Sequence, residues 1–186
     1  RHHDDSRAHA EPRSPRRTRS DNRSLIPMNS QKNPDQEAIS KALQEVMNGK
    51  PVYELAGWSA DQIQTLHRKA FHEYSEGHYP EALEMFKALV VLNATDSRVW
   101  MGYAATAMML RRYEDAIKAY GHASLFDPRR PEPFYHAMEC HLALDHAKEA
   151  KVAAEHVLDL TTGHPEFAEL REKAELVLSH SLQPNS

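Results

Sequence analysis

The feature that most constrains this chain is a period of 34 residues. Three windows align without a gap, starting at Ile63, Ser97 and Pro131. Their fourth positions hold Leu66, Trp100 and Phe134, and their eighth positions Ala70, Ala104 and Met138. The twentieth hold Ala82, Ala116 and Ala150, and the twenty-fourth Phe86, Tyr120 and Ala154. A fixed period of this length marks a stacked array in which each unit covers its neighbour's apolar face. Small residues at positions eight and twenty let two helices approach closely. Bulky ones at four and twenty-four fill the space between pairs. Gly77, Arg111 and Asp145 occupy the expected ends of the first helix of each pair, and Pro80 suits the start of the next helix.

Residues 63–164 therefore resemble the tetratricopeptide repeat (TPR), in three units, 63–96, 97–130 and 131–164. With only 6 Gly and many Ala, Leu and Glu, the expected fold is all-α, a TPR α-solenoid. Ser59 with Gln62 forms a capping box ahead of the first unit, so the array is read from 59 to 164. Upstream, Ile39, Ala42, Leu43, Val46 and Met47 make one apolar stripe on a helix that starts near Pro34 and stops at Asn48-Gly49. Residues 34–58 are read as this N-terminal amphipathic helix and a linker. A short helix is not stable alone in water, so the stripe docks either on the body of the same chain or on a second subunit. Downstream, Phe167, Leu170, Ala174, Val177 and Leu178 predict a C-terminal capping helix over 165–182.

Residues 1–33 read as a disordered tail. Residues 1–27 hold seven Arg against three Asp and one Glu, which leaves a net −7 for residues 28–186 out of the chain's −4. The arm is either a basic nucleic-acid or membrane contact or, the preferred reading, an upstream translated or expression-derived segment; it lacks the apolar region of a secretory signal. An acidic body is a poor phosphate binder, so no nucleic-acid partner is expected. No apolar run approaches the roughly 20 residues of a membrane span. The 1 Cys, Cys140, excludes an internal disulfide framework and agrees with a reducing compartment.

Positions 5, 9 and 12 of each first helix share one face. They are His67, Phe71 and Tyr74, then Met101, Ala105 and Met108, then Tyr135, Glu139 and Leu142. An ordinary solvated face would carry Lys, Glu and Gln; this apolar strip predicts a peptide-binding groove. Two other classes fit the sequence less well. His67, His72, Glu73 and His78 suggest a metal, but His67 and His72 fall on different helix faces and no HExxH occurs. No metal or cofactor is expected. An enzyme is disfavoured by the absence of GxSxG, CxxC and phosphate-loop motifs, and a lone Cys in a repeat helix is ordinarily a buried apolar residue.

The heat-shock-tail clamp of some TPR proteins is absent, since His67 and Phe71 stand where it needs Lys and Asn. A closer similarity covers almost all of residues 34–182. The segments AFHEYSEGHYPEALEMFKALVVLNATDSR (70–98), DPRRPEPFYHAMECHLAL (127–144) and HPEFAEL (164–170) resemble the class II chaperones of bacterial type III secretion. The resemblance implies a cytoplasmic, non-enzymatic chaperone for two hydrophobic translocator proteins, taken as extended segments in the concave groove. It also implies a homodimer through the Ile39, Leu43, Val46 and Met47 stripe, no direct membrane binding, and in some members partnership with a transcriptional activator. His67 stands where the family often has Tyr, which alters the first pocket. The alternative is a generic TPR peptide-binding scaffold or regulatory adaptor.

Overall fold

The computed structural model describes residues 34–181; the tail to residue 33 and the expected last residue of the capping helix, 182, lie outside them. Among the described residues there is no strand. The helices are α1 (Pro34–Met47), α2 (Val52–Leu55), α3 (Ala60–Ser75), α4 (Tyr79–Leu92), α5 (Ser97–Met109), α6 (Tyr113–Phe126), α7 (Glu132–Ala143), α8 (Ala147–Thr161) and α9 (Ala168–Ser181), with a 3₁₀ turn at Pro165–Phe167 before α9. The pairs α3/α4, α5/α6 and α7/α8 are antiparallel hairpins, and each helix from α3 to α9 packs on its chain neighbours. This is the expected TPR solenoid.

Local chemistry sets the ends. The Ser59 hydroxyl accepts from the Gln62 N–H while the Gln62 side chain accepts from the Ser59 N–H, the reciprocal box expected there. Asp96 caps α5 by accepting from Arg98 N–H. The first helix of every pair closes in one way. His78, Arg112 and His146 each donate their N–H to the carbonyl five residues back, and Gly77, Arg111 and Asp145 to the carbonyl three back. That closure puts Gly77 at φ 82°, Arg111 at 57° and Asp145 at 58°. The repeat thus imposes a left-handed residue even where the sequence supplies a side chain.

Three apolar packets run along the array. The first joins Ile63, Ala70, Ala82, Phe86 and Leu89 to Val99 of the next unit. The second centres on Tyr120 with Leu83, Ala104 and Cys140. The third holds Tyr135, Met138, Ala154 and Val157, closed by Ala174 of α9 with Leu170, Val177 and Leu178 packed around it. Each packet borrows a residue from its neighbour, which is why single units do not fold alone. The close approach is strictest at Gly102, where a Cβ would lie 2.2 Å from a ring carbon of Phe86.

Two features were not legible in advance. Residues 52–55, expected as linker, form the short α2 after Pro51, and Tyr53 packs against the first packet. In addition, α1 presents its stripe to solvent: Leu43 is 60% and Met47 81% exposed.

Candidate peptide-binding groove

The first helices α3, α5 and α7 carry the nine residues expected to form the groove. Phe71 is 59% exposed, and its ring centroid lies 6.3 Å from that of half-buried Tyr74. Tyr74 in turn lies 5.6 Å from Tyr79 at the start of α4, which fixes its ring. Hence Phe71 is an aromatic face held by its neighbours and uncovered by them. Met101, Ala105 and Met108 follow on α5, all half-buried, with Met108 sulfur accepting from the Tyr120 hydroxyl at 3.8 Å. The thioethers supply a deformable apolar floor.

The third helix is different. Tyr135 is only 6% exposed and belongs to the third packet. Its hydroxyl donates to Glu139 at 2.8 Å, and His136 Nδ1 lies 2.8 Å from the other oxygen of the same carboxylate. Burial pushes the Glu139 carboxyl upward, but these hydrogen bonds outweigh it and hold the group below the usual carboxylate range. Leu142 remains open at the end of α7. The nine residues stand at equivalent positions of the three first helices, but α3 and α5 carry apolar and aromatic side chains there, apart from His67, whereas α7 carries a hydrogen-bonded carboxylate.

His67 is half-buried, edge-on to Phe86 at 6.0 Å. Its Nε2 is buried without a hydrogen-bond partner. Burial, followed by the charge of Arg98, lowers its pKa, so the imidazole is neutral at pH 7. Beside it is a pocket of about 180 Å³ lined by Tyr53, Gln64, Asn93, Asp96 and Arg98 among others. Asp96 takes two side-chain bonds from Arg98, at 3.0 and 2.6 Å. Tyr53 and this ion pair were missed from the sequence. The only signal was the Asp-x-Arg spacing at the start of α5, which reads as capping alone. A separate cleft of about 420 Å³ opens between α6, α7 and α8, lined by Ile117, Phe134, Val152 and His156 among others; none of the nine groove residues lines it.

The remaining chemistry-bearing side chains do not assemble. Cys140 is buried, and burial together with the Glu139 charge pushes its thiol up to about 11, so it is protonated at neutral pH. Among the described residues no three His, Cys, Asp or Glu side chains converge in a metal-holding arrangement. His78 Nδ1 instead lies 2.9 Å from Glu73. No described helix is long and apolar enough to cross a membrane.

Helical hairpins stacked at a 34-residue period, with aromatic and methionine side chains at equivalent positions of the first two units, define a TPR protein. The tetratricopeptide-repeat family model matches residues 73–134. "Low calcium response locus protein H" of Yersinia pseudotuberculosis is 32% identical over 120 residues, 64% of this chain and 71% of that protein. The Yersinia enterocolitica type III secretion chaperone SycD, solved with a peptide of the translocator YopD, superposes with a TM-score of 0.63. It is 32% identical over 66% of this chain and 93% of that one. A type III secretion complex from Aeromonas hydrophila gives a TM-score of 0.71 at 29% identity, covering 80% of this chain and 99% of that one. The chain belongs to the family of type III secretion translocator chaperones.

Proposed function

We propose that this protein binds an extended segment of a hydrophobic translocator protein in its concave groove and so keeps that client soluble until secretion. The observation that carries the reading is Phe71, more than half exposed beside Tyr74, with half-buried Met101 and Met108 at the equivalent face of α5. A large rigid aromatic that its own fold leaves uncovered is the side chain a binding partner gains most by covering. In the relatives, SycD has been solved with a YopD peptide and PcrH with the chaperone binding region of PopD, which agrees with such a client. A translocator segment that would otherwise aggregate is held unfolded at the cost of ordering a short stretch of chain. Affinity is then moderate and release needs no nucleotide. Phe71, Tyr74, Met101, Ala105 and Met108 provide the apolar subsites, with His67 shaping the first and Tyr135, Glu139 and Leu142 the far end. The site of action that follows is the bacterial cytoplasm, and the role is that of a non-enzymatic holder.

The test is co-expression with candidate translocators that carry long apolar segments, followed by the Kd of the segment that copurifies. The wild-type chain keeps the client in the soluble fraction. Losing one central aromatic anchor costs about 2 kcal/mol, roughly 30-fold in Kd. A Phe71→Ala, Tyr74→Ala double variant that binds as tightly as wild type would sink the proposal.

The uncovered α1 stripe supports a second element of the reading: two copies associate through Ile39, Leu43, Val46 and Met47. Dimeric forms of the relative SycD are in keeping with this.

A further inference from the structure

The repeat supplies its own comparison for the cleft between α6, α7 and α8. At position 25 of the unit the first and third repeats carry Lys87 and Glu155, whereas the second carries Gly121. At position 22 the first two carry Glu84 and Lys118, whereas the third carries Val152, 54% exposed. Gly121 and Val152 both line this one cleft of about 420 Å³. The array thus drops its solvated charges at the two positions where the cleft opens.

Gly121 serves nothing within its own chain. It lies inside α6, where glycine weakens the helix, and a Cβ there would meet nothing within 4 Å. Gly102 is the contrast, because Phe86 lies against the place of its Cβ. A helical glycine that no neighbour requires fits the close approach of a backbone from outside. The rest of the lining is largely apolar or small, with Ile117, Phe134, Ala137 and Ala153, and His141 of the same cleft has its Nδ1 buried without a hydrogen-bond partner.

The chain also carries a helix that fits. Among the described residues α1 packs closely on no other helix, and Ile39, Leu43, Val46 and Met47 are 40% to 81% exposed. Area decides what covers them. The four side chains offer roughly 250 Å² of apolar surface per copy, so two stripes set face to face bury roughly 500 Å². A stable interface of about 1,200–2,000 Å², a little over half of it apolar, needs roughly 700–1,100 Å². Seating each stripe in the partner's cleft uses four apolar surfaces instead of two and reaches that range.

We infer that in the homodimer α1 of each copy lies in the α6–α8 cleft of the other, with Leu43 and Met47 entering beside Val152 and the α1 backbone passing close over Gly121. The inference rests on the proposed association through α1 and names the surface that α1 meets. Gln36 and Ser40, at the edge of the stripe, offer hydrogen-bonding groups for the buried His141 nitrogen. The exchange is reciprocal, so it closes at two copies. None of the nine groove residues lines the cleft, so the dimer leaves client binding open.

The experiment uses the full chain. Gly121→Lys and Val152→Glu each install the residue that the first repeat carries at the same position, Lys87 and Glu84, which the repeat fold accepts. Each is expected to raise the dimer Kd by roughly 30-fold in analytical ultracentrifugation, without lowering the melt of the repeats. A photo-crosslinking residue at position 43, in a chain mixed with an isotope-labelled copy, is expected to capture labelled peptides of α6 or α8. Capture of the labelled α1 overturns the inference in favour of stripe-on-stripe pairing, and capture within the same chain overturns it in favour of a fold-back. A dimer Kd unchanged by both cleft variants overturns it as well. In the first and last cases association through α1 still stands if Leu43→Asp with Met47→Asp dissociates the dimer. If that variant stays dimeric, or the wild type is monomeric, the α1 reading falls and the cleft contact with it.

Discussion

At the residue scale, the informative positions are those where the repeat dictates a conformation that the side chain resists. Arg111 is held at φ 57° by the closure of α5, a region that disfavours a Cβ by about 1–2 kcal/mol. Its Cβ strain is relieved by glycine, against some loss of rigidity in the unfolded chain. Arg111→Gly is expected to raise stability by about 0.5–1 kcal/mol in urea denaturation, with less gain at Asp145→Gly because Asp tolerates this conformation better. His67 makes a different demand. Its folded pKa lies below the ordinary 6.5, so above that pH both states are neutral and its stabilising preference is intact. As pH falls below 6.5 the unfolded chain takes up the proton first and stability is lost until the folded pKa is passed. His141, lowered by burial and by neighbouring His146, adds in the same direction. Thermal melts from pH 7.5 to 5.5 should therefore fall for the wild type and fall less for His67→Gln. Identical slopes would show that His67 does not supply the effect. The carboxylates held low, Asp96 and Glu139 among them, lose their contribution only at more acid pH, below the usual carboxylate range.

At the element scale, the helical pairs were legible because their period is written in buried positions. Ala82, Ala116 and Ala150 are all fully buried, as their shared position requires. The groove face was also readable as positions, because i, i+4 and i+7 on a helix point one way whatever the residue type. What those positions would look like was less legible. Tyr135 reads as an aromatic anchor, yet it is nearly closed off, because Lys173 lies over its ring and the helix bearing it packs alongside. That depends on a contact 38 residues away, which no local pattern encodes. The short α2 escaped for a related reason: four residues carry too little periodicity, and Tyr53 is ordered by packing on the first repeat. Helix α1 poses the opposite case, a readable stripe that stays exposed among the described residues. With Leu43 and Met47 open, association should bury them. Leu43→Asp with Met47→Asp is expected to shift the mass in light scattering from two copies to one without altering the melt of the repeats. An unchanged dimer mass would remove α1 from the interface.

At the scale of the whole molecule, stability in a repeat array is close to a sum of unit terms and junction terms. The last junction here is α8 with α9, where Ala174, Leu170, Val177 and Leu178 cover Met138, Ala154 and Val157. Removing residues 165–186 leaves that packet facing water. Burial of a Leu- or Val-sized side chain contributes about 1.5–3 kcal/mol. Uncovering several of them is comparable with the whole stability of a domain of this size, about 5–15 kcal/mol. The third unit should then fray while the first two, joined through Val99 and Leu83, remain folded. Hydrogen exchange is the measurement that separates outcomes. Truncation is expected to release protection in α7 and α8 while leaving it in α3 to α5, and to increase binding of a hydrophobic dye. Uniform loss across all repeats would mean instead that the array melts as one unit.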